Sequence, residues 1–317
     1  MKHALITGSR GFVGTHLARH LLNEGYRVSG LDRPGSGQVR PRWLSAIYSD
    51  LNKSVESIDS TMEDCKSLGK IFASNNFDAV FHLAGTAFVP EGWKDPAGVI
   101  ENNTVVPVRL FQAARDNGFK GTIVFASSGE VYGVKGTMPI LESQPVAPGN
   151  PYAESKRAAE QFIPYFCEQG MRIVIARPFN HIGPGQRENF VVPSFLARIA
   201  EAQSQNKSSI SVGDLESERD FADVRDVAQA YQILAERGES GEIYNICSGQ
   251  PVPIRRVLDL AIEVTGSKIV PVTDPALLRP DGRSIRFGSS SKLNALGWKQ
   301  RYSLKQSVQD TWKAMQA

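Results

Sequence analysis

A tyrosine and a lysine four residues apart, in Pro151-Tyr-Ala-Glu-Ser-Lys156, can work as one proton-handling unit. On a helix such positions share a face, so both side chains can point at one spot. Alone, the pair would equally suit a solvated helix surface. A phenol is a poor base near neutral pH, and the Lys156 ammonium is expected to lower the Tyr152 pKa by favouring phenolate. Upstream, Ser127-Ser128 close a strand pattern. A hydroxyl there would hold the reacting oxygen and share its proton, with Ser128 as the candidate and Ser127 facing core or backbone.

A second constellation opens the chain: Thr7-Gly8-Ser9-Arg10-Gly11-Phe12-Val13-Gly14, directly after a strand pattern and into a helical one. Glycines at that spacing permit a tight turn and close backbone approach, and the helix N-terminus suits a pyrophosphate. With the Tyr152/Lys156 pair this reads as hydride transfer on a dinucleotide-binding sheet. An oxidised nicotinamide would favour phenolate further. Asp32 ends the second strand, where a carboxylate hydrogen-bonds an adenosine ribose and repels a 2′-phosphate, favouring NAD(H). Arg33 and Arg10 could neutralise that phosphate, which keeps NADP(H) open. Asp59, on the loop after the third strand, is a candidate adenine contact, with Asp50 competing.

The elements to position these groups follow from periodicity. Short apolar runs at 3–7, 27–32, 78–84, 122–128, 172–178 and 242–248 read as buried strands. Helical patterns lie between them, including 103–117 and 152–169, where Pro164 should kink or shorten the helix. Such alternation predicts an α/β fold with a doubly wound parallel sheet and its site at the carboxyl ends of the strands. Residues 179–188, rich in Gly, Pro and Asn, read as a loop; a helix at 192–203 and a strand at 268–272 follow. The expected organisation is a nucleotide-binding domain over 1–178, with 221–248 returning to it, and a smaller substrate domain from 179–220 and 249–317.

Bulk properties exclude several classes. The 317 residues, 41% hydrophobic and 22% charged, suit a soluble chain with a sizeable core. A net charge of +3 without basic runs argues against nucleic acid. No apolar stretch reaches membrane-spanning length, and the five histidines form no metal-ligand cluster. Three scattered cysteines, and a strand starting at once with no room for a targeting peptide, point to a reducing, cytoplasmic setting.

Thr7-Gly-x-x-Gly-x-x-Gly14, Phe81-His-Leu-Ala-Gly85, Ser127-Ser-Gly-Glu-Val-Tyr-Gly133 and Tyr152-x-x-x-Lys156 together resemble the extended short-chain dehydrogenase/reductase family of nucleotide-sugar enzymes, over essentially the whole chain. The resemblance implies a Rossmann domain, a small C-terminal domain holding the nucleotide sugar, and a homodimer through helices near 100–117 and 152–169. It also implies cofactor contacts from Gly8, Gly11, Phe12, Val13, Gly14, Leu83, Ala84, Tyr152 and Lys156.

Arg177-Pro-Phe-Asn-His-Ile-Gly-Pro-Gly-Gln186 and Arg219-Asp-Phe-Ala-Asp-Val-Arg-Asp226 resemble the GDP-mannose branch. By that resemblance Asn180 contacts the sugar phosphates, Arg219 and Arg279 clamp the diphosphate, Val191 lines the nucleoside pocket, and Trp93 approaches the substrate. Related enzymes carry a Glu soon after Arg279-Pro280, whereas this chain has Asp281-Gly282-Arg283, so the base contact differs. Glu130 matches the residue that removes the C5 proton in 4,6-dehydratases, although Gly129 replaces their Asp or Ser. By the same resemblance a Glu stands there in reductases too, so it does not discriminate, and a carboxylate holding the loop or a water is the plain alternative. The expected activity is NAD(P)H-dependent reduction of the C4 keto group of a nucleotide-linked 4-keto-6-deoxyhexose, with a GDP-hexose favoured. A 4,6-dehydratase or a 4-epimerase would share the same trio, and a non-catalytic dinucleotide-binding protein is the remote alternative.

Overall fold

The computed structural model describes residues 1–34, 51, 53–133, 136–278 and 284–316. Seven strands form one parallel sheet: β1 (His3–Thr7), β2 (Arg27–Asp32), β3 (Val55–Asp59), β4 (Ala79–His82), β5 (Thr122–Ala126), β6 (Arg172–Pro178) and, late in the chain, β11 (Ile243–Ile246). Their order is β11-β6-β5-β4-β1-β2-β3. The chain therefore runs out from β1 to the β3 edge, then crosses back to β4 on the other side of β1. That reversal opens a crevice at the carboxyl ends of β1 and β4, where the first glycine loop lies.

The central strands β1, β4 and β5 are almost wholly buried because both faces of the sheet are covered. Ala4 and Ile6 of β1 pack with Leu17 and Leu21 of the helix Phe12–Asn23 and with Tyr231 and Leu234 of the helix Val224–Arg237. Leu5, between them, points the other way, toward Leu68, Phe111 and Ile163 from the helices Cys65–Ser74, Val106–Asp116 and Pro151–Glu168. A separate apolar cluster joins Leu196 and Ile199 of the helix Val191–Ser204 to Val257 and Leu260 of Ile254–Thr265 and Val308 of Leu304–Gln316. Small strands accompany it: β7 (Asn180–Ile182), β8 (Ser209–Val212), β9 (Glu218–Arg219), β10 (Phe221–Asp223), β12 (Val252–Pro253), β13 (Val270–Thr273) and β14 (Ile285–Arg286).

Several expectations need correcting. Residues 179–188 are not wholly loop, because β7 pairs in parallel with β10, Asn180 against Phe221. Val55–Asp59 is an edge strand, and Asp59 ends it, in register with Asp32, rather than lying on the loop beyond. The segment expected as a helix over 103–117 begins as a π-helical turn, Glu101–Val105. Pro164 does not shorten its helix, which runs on to Glu168. The proline ring lies on the exposed side, and only the Glu160 carbonyl forgoes its amide partner. Among the described residues, no helix is long and apolar enough to cross a membrane.

Candidate active site

The glycine loop is shaped by what a side chain would strike. Gly8 has φ +73°, and a Cβ there would sit 3.1 Å from the Ala84 backbone. A Cβ on Gly14 would sit 2.2 Å from the Gly8 carbonyl oxygen. Leu83 N and Ala84 N donate to Thr7 O and Thr7 Oγ1 at 3.3 and 3.2 Å, tying the β1 and β4 loops together. Gly11 caps the following helix without a side-chain hydrogen bond. The amides of Phe12, Val13 and Gly14 thus form an uncapped helix N-terminus, suited to a pyrophosphate. This cradle fits a dinucleotide.

Asp32 is buried at the end of β2. Its oxygens accept from Ser9 Oγ at 2.5 Å and Arg10 N at 3.0 Å, so the carboxylate also holds the loop in shape. Ser9 is absent from the sequence-derived set, although its place one residue past Gly8 is visible there. Arg10 Nη2 donates to Ser57 Oγ at 2.8 Å, and exposed Arg33 donates to Asn102 Oδ1. The Asp59 side chain and Asp50 lie outside the described residues.

The helix Pro151–Glu168 starts where its sequence dictates. The Asn150 side chain accepts from Ala153 N, and Pro151 occupies the first turn; such a cap contributes about 1 kcal/mol. This fixes Tyr152 in the first turn and buries it. Burial pushes the Tyr152 phenol up to about 12; the nearby Ser128 hydroxyl pulls the other way, and the Glu130 charge adds to the rise. The expected lowering by Lys156 is therefore corrected. Lys156 Nζ donates instead to Ala126 O at 2.8 Å and lies 5.3 Å over the Phe125 ring. Burial brings Lys156 down to about 8, partly offset by Glu160. Ser128 Oγ also accepts from Glu130 N at 3.1 Å. Tyr152 and Lys156 are thus buried one turn apart on a single helix, with Ser128 near the phenol and Lys156 bonded to the end of β5.

Sequence reading missed the support behind it. Ser127 is buried, as expected, but its hydroxyl donates to Glu160, which also accepts from Arg177 Nε at 2.9 Å and Nη2 at 2.5 Å. Asn103, in the π-helical turn, bridges Thr86 and Ser155, joining the β4 loop to the catalytic helix. His82 is fully buried and brought down to about 3 by burial and by the Lys156 charge, so it stays neutral.

On the far side of the crevice, Arg286 grips Glu130, with Nη1 3.0 Å from one carboxylate oxygen. Arg219 donates to Ser284 O and Oγ at 2.8 and 2.9 Å and to its neighbour's carbonyl. Exposed Asn180 donates to Asp220 O at 3.2 Å. The Asp220 carboxylate, fully buried, collects Ser248 N and Oγ, Gly249 N and Gly288 N, binding two distant segments to its own. Val191 begins its helix, half-buried. Trp93 is 66% exposed, on a short helix whose Gly92 abuts the Tyr152 amide. Arg279, with 280–283, lies outside the described residues.

Comparisons with known proteins agree with this layout. A family model described as GDP-mannose 4,6 dehydratase matches residues 5–311. The chain is 37% identical to the GDP-6-deoxy-D-mannose reductase of Pseudomonas aeruginosa over 96% of this chain and 93% of that one. The structure of RMD from Pseudomonas aeruginosa complexed with NADPH superposes with a TM-score of 0.83 at 34% identity, covering 99% of each chain. The Thermus thermophilus UDP-glucose 4-epimerase in complex with NAD gives a TM-score of 0.84 at 28% identity, again over 99% of each.

Proposed function

The chain belongs to the GDP-mannose 4,6-dehydratase family of extended short-chain dehydrogenases/reductases, and from that premise we propose that it reduces the C4 keto group of GDP-4-keto-6-deoxy-D-mannose to give GDP-D-rhamnose. The observation that carries the reading is the buried Tyr152/Lys156 pair beside the glycine cradle, in a chain 37% identical to a GDP-6-deoxy-D-mannose reductase. Buried close to Ser128, the Tyr152 phenol is pushed up to about 12, so it keeps the proton that a new alkoxide would take. When bound, NAD(P)H supplies the hydride to C4. Ser128 holds the C4 oxygen and passes proton density between it and Tyr152 Oη. Lys156 supports the cofactor ribose and, while charged, offsets the phenolate left after transfer. Gly8, Gly11 and the amides of Phe12, Val13 and Gly14 hold the pyrophosphate, beside Leu83 and Ala84. Asp32 supports NAD(H); exposed Arg33 beside it supports NADP(H).

For the sugar nucleotide, Arg219, Arg279 and Asn180 would take the phosphates, with Val191 and Trp93 toward the nucleoside and sugar. We assign residues 1–178 with 221–248 to the cofactor domain and the remainder to the sugar domain. A cytoplasmic homodimer fits the exposed Ile100, Phe162 and Tyr165, at 50%, 44% and 64%, on neighbouring helices of one face. A second reading is 4,6-dehydration, with Glu130 as the base; Glu130 alone does not separate it from reduction, since its charge acts on the Tyr152 phenol in either case.

The test is spectrophotometric. With GDP-4-keto-6-deoxy-D-mannose, stoichiometric loss of NADH or NADPH absorbance and a GDP-6-deoxyhexose product are expected, and the faster cofactor decides the Asp32 against Arg33 question. No consumption, or turnover of GDP-mannose with oxidised cofactor regenerated, would remove the reductase reading. Tyr152→Phe should cut kcat by roughly 10²–10⁴ while cofactor still binds.

A further inference from the structure

Glu130 presents a chemical problem to a ketone reductase. It follows Ser128 by two residues, and its charge bears on the Tyr152 phenol. Once Tyr152 and Ser128 polarise a C4 carbonyl, the hydrogen on the adjacent carbon becomes acidic, and a free carboxylate nearby would remove it. The neighbouring stereocentre would then be lost before or during reduction.

This chain's carboxylate is not free. Arg286 Nη1 donates to both Glu130 oxygens, at 3.0 and 3.1 Å, and Nη2 donates to Gly129 O at 3.3 Å. Arg286 is itself buried, while Glu130 remains partly exposed. Its backbone is fixed by β14, paired with β9 so that Arg286 stands opposite Arg219. Its Nε is buried without a hydrogen-bond partner among the described residues. Burying an unpaired donor is costly, and the side-chain hydrogen bonds Arg286 does make all go to Glu130 and the Gly129 carbonyl among the described residues.

We infer that Arg286 is a positioning residue that withholds Glu130 from the carbon beside the reacting carbonyl, keeping the site a reductase and not an enolising one. The inference rests on the reductase reading above. Released, Glu130 would take the C5 proton. The C5–H bond breaks, its electron pair forms the C4–C5 double bond, and the C4 oxygen becomes an enolate held by Ser128 and Tyr152. Reprotonation at C5 from Glu130, after exchange with solvent, restores the ketone with no net redox change.

The experiment uses GDP-4-keto-6-deoxy-D-mannose with the full-length protein and oxidised cofactor in D2O, so that no hydride can move. Proton NMR follows the C6 methyl signal, a doublet that collapses as deuterium enters C5. Wild type should exchange no faster than the protein-free control. Arg286→Gln should exchange at least roughly tenfold faster, Arg286→Lys should fall between, and adding Glu130→Gln to Arg286→Gln should abolish the gain. A merely structural role would lower reduction without producing Glu130-dependent exchange. Arg286→Met keeps the buried aliphatic bulk if the Gln variant does not fold. Should neither fold, wild type alone decides: reduction accompanied by C5 exchange overturns the inference. No acceleration in a folded variant also overturns it. Failure of wild type to reduce the ketone at all overturns the substrate reading instead, and the inference with it.

Discussion

Lys156 and Glu160 stand one turn apart on the same helix, and both are almost wholly buried, at 5% and 8% exposure. Their surroundings are opposite. Glu160 is saturated by Arg177 and Ser127. Lys156 has a single carbonyl, Ala126 O, and an aromatic face, and burial brings it to about 8. The comparison separates two uses of a buried charge. One is fully paired and fixes β6 to the catalytic helix. The other is left short of partners, so that it can respond to what arrives in the crevice.

The largest effect expected from this contrast is on the paired side. Arg177→Met leaves the Glu160 carboxylate buried with only a hydroxyl, and should cost about 3–5 kcal/mol of stability. Urea unfolding would measure it, and a loss under about 1 kcal/mol would mean the pair is not the anchor described. On the responsive side, kcat/KM should fall as pH rises through about 8, where Lys156 loses its proton. A profile flat to pH 10 would show that its charge is not needed. The smallest effect has the opposite sign to the first. The folded pKa of Lys156 lies below its unfolded value, so the unfolded chain binds more protons between about 8 and 10.5. Stability from this group therefore rises with pH across that window, and the full penalty applies below it. Lys156→Met should raise the Tm of the cofactor-free protein at pH 7 by a few degrees, roughly 1–2 kcal/mol, and by little at pH 11. A lower Tm at pH 7 would reverse the assignment of strain to function.

Local patterns are readable from the sequence because their physics is local. β1, β2 and β6 begin and end where the apolar runs do. The glycine loop and the Tyr152/Lys156 spacing lie on the elements expected of them. Polar alternation in Val55–Asp59 hides an edge strand, and Gly and Pro on either side of Asn180–Ile182 hide a short paired one. Spacing alone gives the wrong sign for the Tyr152 shift, because burial outweighs a lysine bonded elsewhere. Glu160 with Arg177, Ser9 with Asp32, and Glu130 with Arg286 are invisible in the sequence because each joins residues from different elements. No spacing rule announces such contacts.

Glu130 precedes its guanidinium partner by 156 positions. At ordinary translation rates that interval lasts about 8–30 s. The whole parallel sheet is complete by Ile246, well before Arg286 leaves the ribosome. A chain stopped in that gap would carry Tyr152, Lys156 and the glycine loop together with an unrestrained carboxylate. The order of synthesis thus makes the Arg286–Glu130 contact one of the last to form around this site, and a truncation before Arg286 would remove it.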